Sequence, residues 1–283
     1  HYHKDILLIC EALPKYALQP KSDDIFTGSP PLGFTFGLGG LVLFPMYFGA
    51  ATFLIEKPSP DVLLKAIQEF KITVCFTAPT AWRIITTKVK DFDISSLRKC
   101  VSAGETLPLK VWQDWYDATG LKIIDGIGAT EMLHIFISSN EENMKPGATG
   151  LSITGYEAKI IDTNGNEVPR NEPGKLVVRG ITGCKYLNRI DKQKEYVENG
   201  WNVTGDIFRQ DEDGYFFYTG RADDVVGIAN GQQSGNSFHW TYTMALPVDG
   251  KVYELVEVPT LNRKLKHDIE IVVDRFKVRE DIK

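Results

Sequence analysis

The sequence predicts an α/β protein. A layered α/β part with parallel strands is followed by a β-rich, distorted barrel-like part and a short β-ribbon tail. Three observations lead there. Helical and strand patterns alternate from residue 1 to about 147, and strand–helix–strand order favours parallel pairing with right-handed crossovers. After "KPGATG" (Lys145 to Gly150) short alternating runs between turn residues take over, the pattern of antiparallel strands. Beyond residue 247 two alternating runs flank a basic turn. The expected parts are 1–147 (α/β), 148–226 (β-rich), 227–247 (junction) and 248–283 (β fragment).

The elements follow in order. "HYHKDILLIC" reads as the middle of a helix. "GLGGLVLFPMYFGAATFLI" is the longest apolar run, but Pro45 and several glycines break it. It reads as a buried strand–helix region rather than a membrane span. In "DVLLKAIQEF", Asp61 can cap a helix whose Leu63, Leu64, Ile67 and Phe70 share one face. "KITVCFTAP" is a buried strand ending at Pro79, "LPLKVWQDWYDATG" a helix closing at Gly120, and "LKIIDGIG" the next strand. In the β-rich part, Asn164-Gly165 marks a hairpin. "GKLVVRG" is a strand, and "DIFRQDEDGYFFYTGR" reads as strand, turn at Asp213-Gly214, strand. In the tail, "GKVYELVEVP" and "IEIVVDRFKVRED" alternate around "NRKLKHD"; a two-stranded ribbon alone is marginal in water.

Composition narrows the function. The 283 residues are 43% hydrophobic and 24% charged, with net charge -5. No global basic field recommends nucleic acid or an anionic membrane as a partner. Cys10, Cys75, Cys100 and Cys184 form no CxxC pair, so zinc ribbons and redox motifs are unsupported and a reduced, cytoplasmic setting is expected. There is no signal-peptide pattern, and the first residue is not Met, so the sequence is expected to begin part-way through a gene product.

Three stretches could carry chemistry. "DGIGATEMLHIF" (Asp125 to Phe136) follows a buried strand, the place where open α/β sheets bind ligands. Gly126 and Gly128 permit close backbone approach. Thr130 offers a hydroxyl to a phosphate, and Glu131 could hold Mg²⁺ beside it. Asp206 in "WNVTGD" could accept ribose hydroxyls. In "GRADD", Arg221 could pair with a phosphate or ribose oxygen and Asp223 could be a hinge. Plainer readings stand beside each: a β-turn with a surface Glu, a turn Asp, a solvated charge cluster. On spacing alone the plainer readings are favoured. His134, on an apolar stretch, reads first as a core histidine. "DEDG" lacks the later ligands of a calcium loop, "GLGGLV" is not a dinucleotide fingerprint, and Ser102 is not in a nucleophile elbow.

Order adds what spacing cannot. "GSPPLGFTFGLGGLVLFPMYFGA", "TVCFTAPTAWR", "CVSAGETLP", "DGIGATEMLHIF", "WNVTGD" and "GRADD" occur in one series. Over residues 1–226 that series resembles the adenylate-forming acyl-CoA synthetase superfamily, in its benzoate/2-aminobenzoate-CoA ligase branch. The resemblance implies an aryl carboxylate as substrate, ATP and Mg²⁺, and coenzyme A as co-substrate. It puts Gly104, Glu105 and Thr106 on the adenine side, with Asp125 and Gly126 also on the nucleotide's wall. Thr130 would meet the α-phosphate and Glu131 would serve Mg²⁺. Asp206, helped by Arg221, would hold the ribose. Thr35, Phe36, Ala78, Pro79, Ile127 and His134 would shape the aryl-acid pocket. Asp223 would be the hinge of a C-terminal domain. Such an enzyme joins a carboxylate to AMP, then transfers the acyl group to the CoA thiol, and it must hold two anions together while doing so.

Two parts that the resemblance calls for are missing from the 283 residues. The family's Ser/Thr/Gly-rich phosphate loop should stand just before "HYHKD", and a domain with a bridging lysine should follow "GRADD". "GIANGQQSGNSFHW" stands there instead. Without those charges little or no turnover is expected. Residues 248–282 resemble a stretch of UvrA, an excision-repair ATPase, with no Walker lysine loop, ABC signature or zinc cysteines. The expected chain is therefore a composite with its seam near Val226. The alternatives are a non-catalytic aryl-acid and nucleotide binder, or a DNA-repair-related chimera, which would bind DNA in a salt-sensitive way.

Overall fold

The structure, a computed structural model, describes residues 1–221 and the backbone of three strands at 245–248, 251–255 and 276–278. Residues His1–Thr219 form one unit and Gly220–Lys283 a second. The first unit holds two sheets.

The first sheet is built on apolar runs that read as strands. β1 (Ile25–Gly28), β2 (Ala51–Thr52), β3 (Val74–Thr77), β4 (Lys99–Ser102) and β5 (Ile123–Gly128) are followed by β6 (Ile135–Ser138) and β7 (Leu151–Ser152), in the order β2-β1-β3-β4-β5-β6-β7. Pairing is parallel from β2 through β5. β6 and β7 run antiparallel, which strand–helix–strand order did not predict. The sheet also runs past residue 147, because β7 belongs to it.

The helices that cover the sheet show why their sequences fold locally. α1 spans His3–Glu11. Tyr2 is extended, and its N–H donates to Asp5 Oδ2 at 2.8 Å. After α2 (Thr35–Leu38) a π-helical turn, Gly39–Leu43, runs into α3 (Phe44–Phe48), which ends at Gly49 with φ 69°. The long apolar run is thus mostly helical, and Met46 and Tyr47 face solvent. Among the described residues no helix is long and apolar enough to cross a membrane.

α4 (Pro60–Phe70) buries Leu63, Leu64 and Ile67 as its period predicts. Its cap is Ser59, whose Oγ accepts from Val62 N, with Pro60 in the first turn. Asp61 instead pairs with Lys88 at 2.7 Å. Phe70 lies off the buried face and stacks on Phe53. α5 (Pro79–Lys88) and α6 (Leu109–Thr119) follow; Gly120 closes α6 at φ 72°. Trp82 of α5 and Trp115 of α6 are fully buried against each other, 4.8 Å between rings. Behind β1, the buried Asp24 accepts from Lys21 N, Thr73 Oγ1 and Arg98 Nε at 2.7 Å each. This pins the amino ends of the parallel strands.

The second sheet contains β8 (Tyr156–Ile161), β9 (Gly174–Gly180), β10 (Val197–Glu198), β11 (Trp201–Gln210) and β12 (Phe216–Arg221). It runs β10-β11-β9-β8, with β12 also on β11. The pairs β10–β11, β11–β9 and β8–β9 are antiparallel. α7 (Ile190–Tyr196) lies between β9 and β10. Both predicted turns form. Gly165 has φ 86° with Asp162 N donating to Asn166 O at 2.8 Å. Gly214 has φ 88° with its N–H on Asp211 O at 3.0 Å. One core cluster joins the sheets, with Phe136 and Ile137 beside Tyr156, Leu176, Val178 and Phe208.

In the second unit β13 (Ala245–Val248), β14 (Lys251–Leu255) and β15 (Phe276–Val278) form an antiparallel three-stranded sheet. The expected ribbon is thus three strands rather than two, and it begins inside the expected junction. The rest of the junction and the hinge residue Asp223 lie outside the described residues.

Candidate functional site

Most of the expected site residues lie where parallel strands end. β3 leads to Ala78, the cap of α5, and to Pro79 in its first turn. β4 leads to Gly104, Glu105 and Thr106. Gly104 has φ 86°, and a Cβ there would meet nothing, so conformation and not crowding calls for glycine. Glu105 is not a loose surface acid: Oε2 accepts from Thr80 Oγ1 at 2.6 Å and from Thr80 N at 3.3 Å. Carboxylate and helix start are thereby tied together, and sequence spacing did not reveal Thr80.

β5 carries the densest stretch. Asp125 lies opposite Ser102 of β4. Its Oδ1 is sealed from solvent without a hydrogen-bond partner, and burial pushes its carboxyl well above the ordinary carboxylate range. Ile127 packs on the core cluster. Gly126 and Gly128 were expected to admit a ligand. The close approach seen is of the chain to itself: a Cβ on Gly126 would lie 2.7 Å from Ile135 Cγ2, and one on Gly128 2.8 Å from the His134 carbonyl carbon. These glycines let β6 fold back on β5.

Between the two strands is a one-turn 3₁₀ helix, Thr130–Met132, closed by Leu133 at φ 70°. His1 Nε2 bonds the Thr130 carbonyl oxygen at 2.6 Å. Glu131 is half-buried, and its Oε1 accepts from the Tyr186 hydroxyl at 2.5 Å. Burial, with the Glu131 carboxylate second, pushes the Tyr186 phenol well up, so it stays a donor. Tyr186 lies 55 residues away in sequence and no local pattern points to it.

His134 turns inward and is 2% exposed. Phe44 meets its ring edge-on at 4.7 Å, and Phe36, the neighbour of Thr35 at the start of α2, lies 6.1 Å away. Gly39 is obligatory beside it: a Cβ there would sit 2.3 Å from His134 Cδ2. Gly40 makes the same room for Phe76. The "GLGG" glycines therefore serve aromatic packing. Neither ring nitrogen of His134 makes a hydrogen bond of normal geometry, and burial, only partly offset by the Phe36 backbone, lowers its pKa to about 3.

That shift has a sign for stability. The folded state holds His134 neutral below its ordinary pKa of about 6.5. Its stabilising share is complete above that pH and is lost as pH falls toward 3. Urea midpoints should fall from pH 7 to pH 4.5, and by less in His134→Phe; an equal fall in both contradicts the assignment.

Asp206 and Arg221 lie on the second sheet. The β11–β9 register shifts between Val203 and Ile207, Gly205 has φ 76°, and the bulge re-aims Asp206. Asp206 is 9% exposed, and its N–H donates to Thr204 Oγ1 at 3.2 Å. Arg221 ends β12.

Among the described residues no cluster of three or more His, Cys, Asp or Glu side chains could hold a metal by itself. Glu131 is a single carboxylate on a strand-end turn. One carboxylate suits Mg²⁺ that arrives with nucleotide phosphates, an ion that keeps its waters and takes few protein ligands.

Residues 1–185 match the AMP-binding enzyme family model. The chain is 30% identical over 235 residues to a benzoate–CoA ligase of Thauera aromatica, covering 81% of this chain and 44% of that protein. It is 32% identical over 231 residues to an anthranilate–CoA ligase of Pseudomonas aeruginosa, with the same two shares. The crystal structure of the anthranilate CoA ligase AuaEII with anthranoyl-AMP superposes with a TM-score of 0.76 at 31% identity. The match covers 97% of this chain and 56% of that one. The chain thus spans less than half the length of these two curated relatives. Residues 242–283 match the UvrA interaction domain, and residues 199–261 match a family of unknown function, DUF3833. A parallel sheet whose strand ends gather Gly104, Thr130 and Glu131, a curled antiparallel sheet beside it, and a family match from residue 1 to 185 agree on one conclusion: the chain belongs to the AMP-binding enzyme family.

Proposed function

We propose that the chain carries the nucleotide and aryl-acid walls of an ATP-dependent aryl-acid CoA ligase of the benzoate/2-aminobenzoate type. One observation supports this most. A single strand-end stretch carries a carboxylate, Glu131, and, three residues on, a buried imidazole that packs against Phe44 with Phe36 nearby. Anion handling and aromatic recognition are therefore adjacent, as joining an aryl carboxylate to AMP requires.

Each residue has a proposed task. Gly104, Glu105 and Thr106 face the adenine, with Asp125 and Gly126 in the wall behind them. Asp206 accepts ribose hydroxyls, with Arg221 in support. Thr130 meets the α-phosphate. Phe36 and His134, with Thr35, Ala78, Pro79 and Ile127, enclose the ring of the acid, whose apolar body is matched by apolar walls. Mg²⁺ held at Glu131 would neutralise phosphate charge as the carboxylate approaches. CoA would attack the acyl-adenylate and release AMP. The 283 residues hold neither the phosphate loop nor the lysine of the resembling family, so these residues by themselves are proposed to bind rather than turn over. The hinge role of Asp223 and a cytoplasmic setting belong to the same proposal. The setting is supported by four unpaired cysteines, although Cys75 and Cys100 face each other across β3 and β4.

Calorimetry with AMP tests the nucleotide wall. Saturable binding is expected, weakened about tenfold in Asp206→Ala, a loss of about 1.4 kcal/mol. An Asp206→Ala variant that binds like the parent would overturn the ribose assignment. The UvrA-like tail motivates a second arm, binding of duplex DNA at low salt. None is expected from a chain of net charge -5, and a salt-sensitive Kd would instead favour the repair reading.

A further inference from the structure

Glu131 is held from outside its own stretch, by the loop between β9 and α7. Tyr186 of that loop donates its hydroxyl to Glu131 Oε1 at 2.5 Å. The loop is braced on both sides of this contact. Thr182 Oγ1 donates to the Met132 carbonyl at 2.7 Å and bonds the Tyr156 hydroxyl at 2.8 Å. The Tyr186 N–H donates to Gln193 Oε1 at 2.8 Å, and its ring stacks on Tyr196 with centroids 5.6 Å apart. Thr182 is 4% exposed, so the brace is largely dry. Tyr186 is therefore held by two neighbours of its own, Gln193 at its backbone and Tyr196 at its ring, on a loop that Thr182 braces.

We propose that Tyr186 is the positioning residue for Glu131, and that its hydroxyl selects which divalent cation the carboxylate serves. The inference rests on the reading of Glu131 as the Mg²⁺-serving residue. A phenol on Oε1 disfavours bidentate chelation and leaves the carboxylate to act through one oxygen. Mg²⁺ accepts that arrangement, since it takes few protein ligands in strict octahedral geometry. Ca²⁺ takes six to eight oxygens and readily uses both oxygens of one carboxylate. Removing the hydroxyl frees Oε1 and lets the carboxylate turn, which favours Ca²⁺.

The test is ATP binding to the full 283-residue chain, titrated with MgCl₂ and separately with CaCl₂, in the parent, Tyr186→Phe and Tyr196→Phe. Phenylalanine at 186 keeps the stacked ring and removes only the hydroxyl. The parent should favour Mg²⁺. Tyr186→Phe should narrow the Mg²⁺-to-Ca²⁺ preference about tenfold, in line with the loss of one outer-shell partner. Tyr196→Phe, which loses a hydroxyl that touches no carboxylate among the described residues, should keep the parent's preference. AMP affinity without metal should not move in either variant, and a lowered melting temperature alone would not mimic a changed ion preference. An unchanged preference in Tyr186→Phe overturns the proposal, as does an equal narrowing in Tyr196→Phe. A parent whose ATP binding ignores divalent cations overturns the Glu131 reading itself, and this proposal with it.

Discussion

Gly150→Ala is expected to destabilise the chain by roughly 2–6 kcal/mol, adding about 1–3 for backbone strain to about 1–3 for overpacking. Gly150 has φ 139°, where side chains are strongly disfavoured, and a Cβ there would lie 2.2 Å from the Ser138 carbonyl carbon and oxygen. Neither atom can retreat. Ser138 is paired with Gly126 of β5, and its Oγ donates to Asp125 O at 2.6 Å. On its other side Gly150 O accepts from Phe216 N at 2.8 Å, while Thr149 N donates to Phe216 O at 2.9 Å. Gly150 is thus the point where the end of the first sheet meets β12 of the second. Domains are stable by only about 5–15 kcal/mol, so the loss would be a large share of the total. Urea unfolding measures it; a change below about 1 kcal/mol would mean that the two sheets do not meet as described.

Glu131→Ala is expected to weaken Mg²⁺-dependent ATP binding about 10²-fold, or about 2.7 kcal/mol, and to leave metal-free AMP binding nearly unchanged. The asymmetry is the informative part. A carboxylate beside phosphates repels them unless a cation intervenes, so its removal should cost affinity only when the cation is present. The fold should tolerate the change, because the 3₁₀ turn is closed by the backbone bonds Met132 N to Ala129 O and Leu133 N to Thr130 O at 3.1 Å each. The Tyr186 hydroxyl loses its partner but is only half-buried and can take water. Equal losses with and without Mg²⁺ would assign Glu131 to direct nucleotide contact instead.

Local signals were the legible ones. The periods of α4 and α6, the buried runs of β3 and β5 and the turns at Gly165 and Gly214 depend on near neighbours, and all form. Ser59 with Pro60 was a stronger cap signal than Asp61, since a serine ahead of a first-turn proline satisfies the helix start directly. The reversal of β6 was not legible. It depends on Gly128 letting the His134 backbone approach, and the same glycines suit a ligand loop equally well in sequence. The site was half legible. The strand-end location of Gly104, Thr130 and Glu131 follows from pattern and order. The contacts that hold it, Thr80 to Glu105, Gly39 to His134 and Tyr186 to Glu131, join residues 25 to 95 positions apart or more loosely patterned stretches, and only packing brings them together.

The most direct measurement of the whole account is binding of a benzoyl-sulfamoyl adenosine, a stable mimic of an aryl-adenylate, to the 283-residue chain. The two walls described above would be occupied at once, and linking two ligands makes the second contact intramolecular. The predicted result is binding at least 10²-fold tighter than AMP, weakened by Asp206→Ala on the ribose side and by Phe36→Ala on the aryl side. Binding no tighter than AMP, or indifferent to both substitutions, would contradict an aryl-adenylate site in this chain.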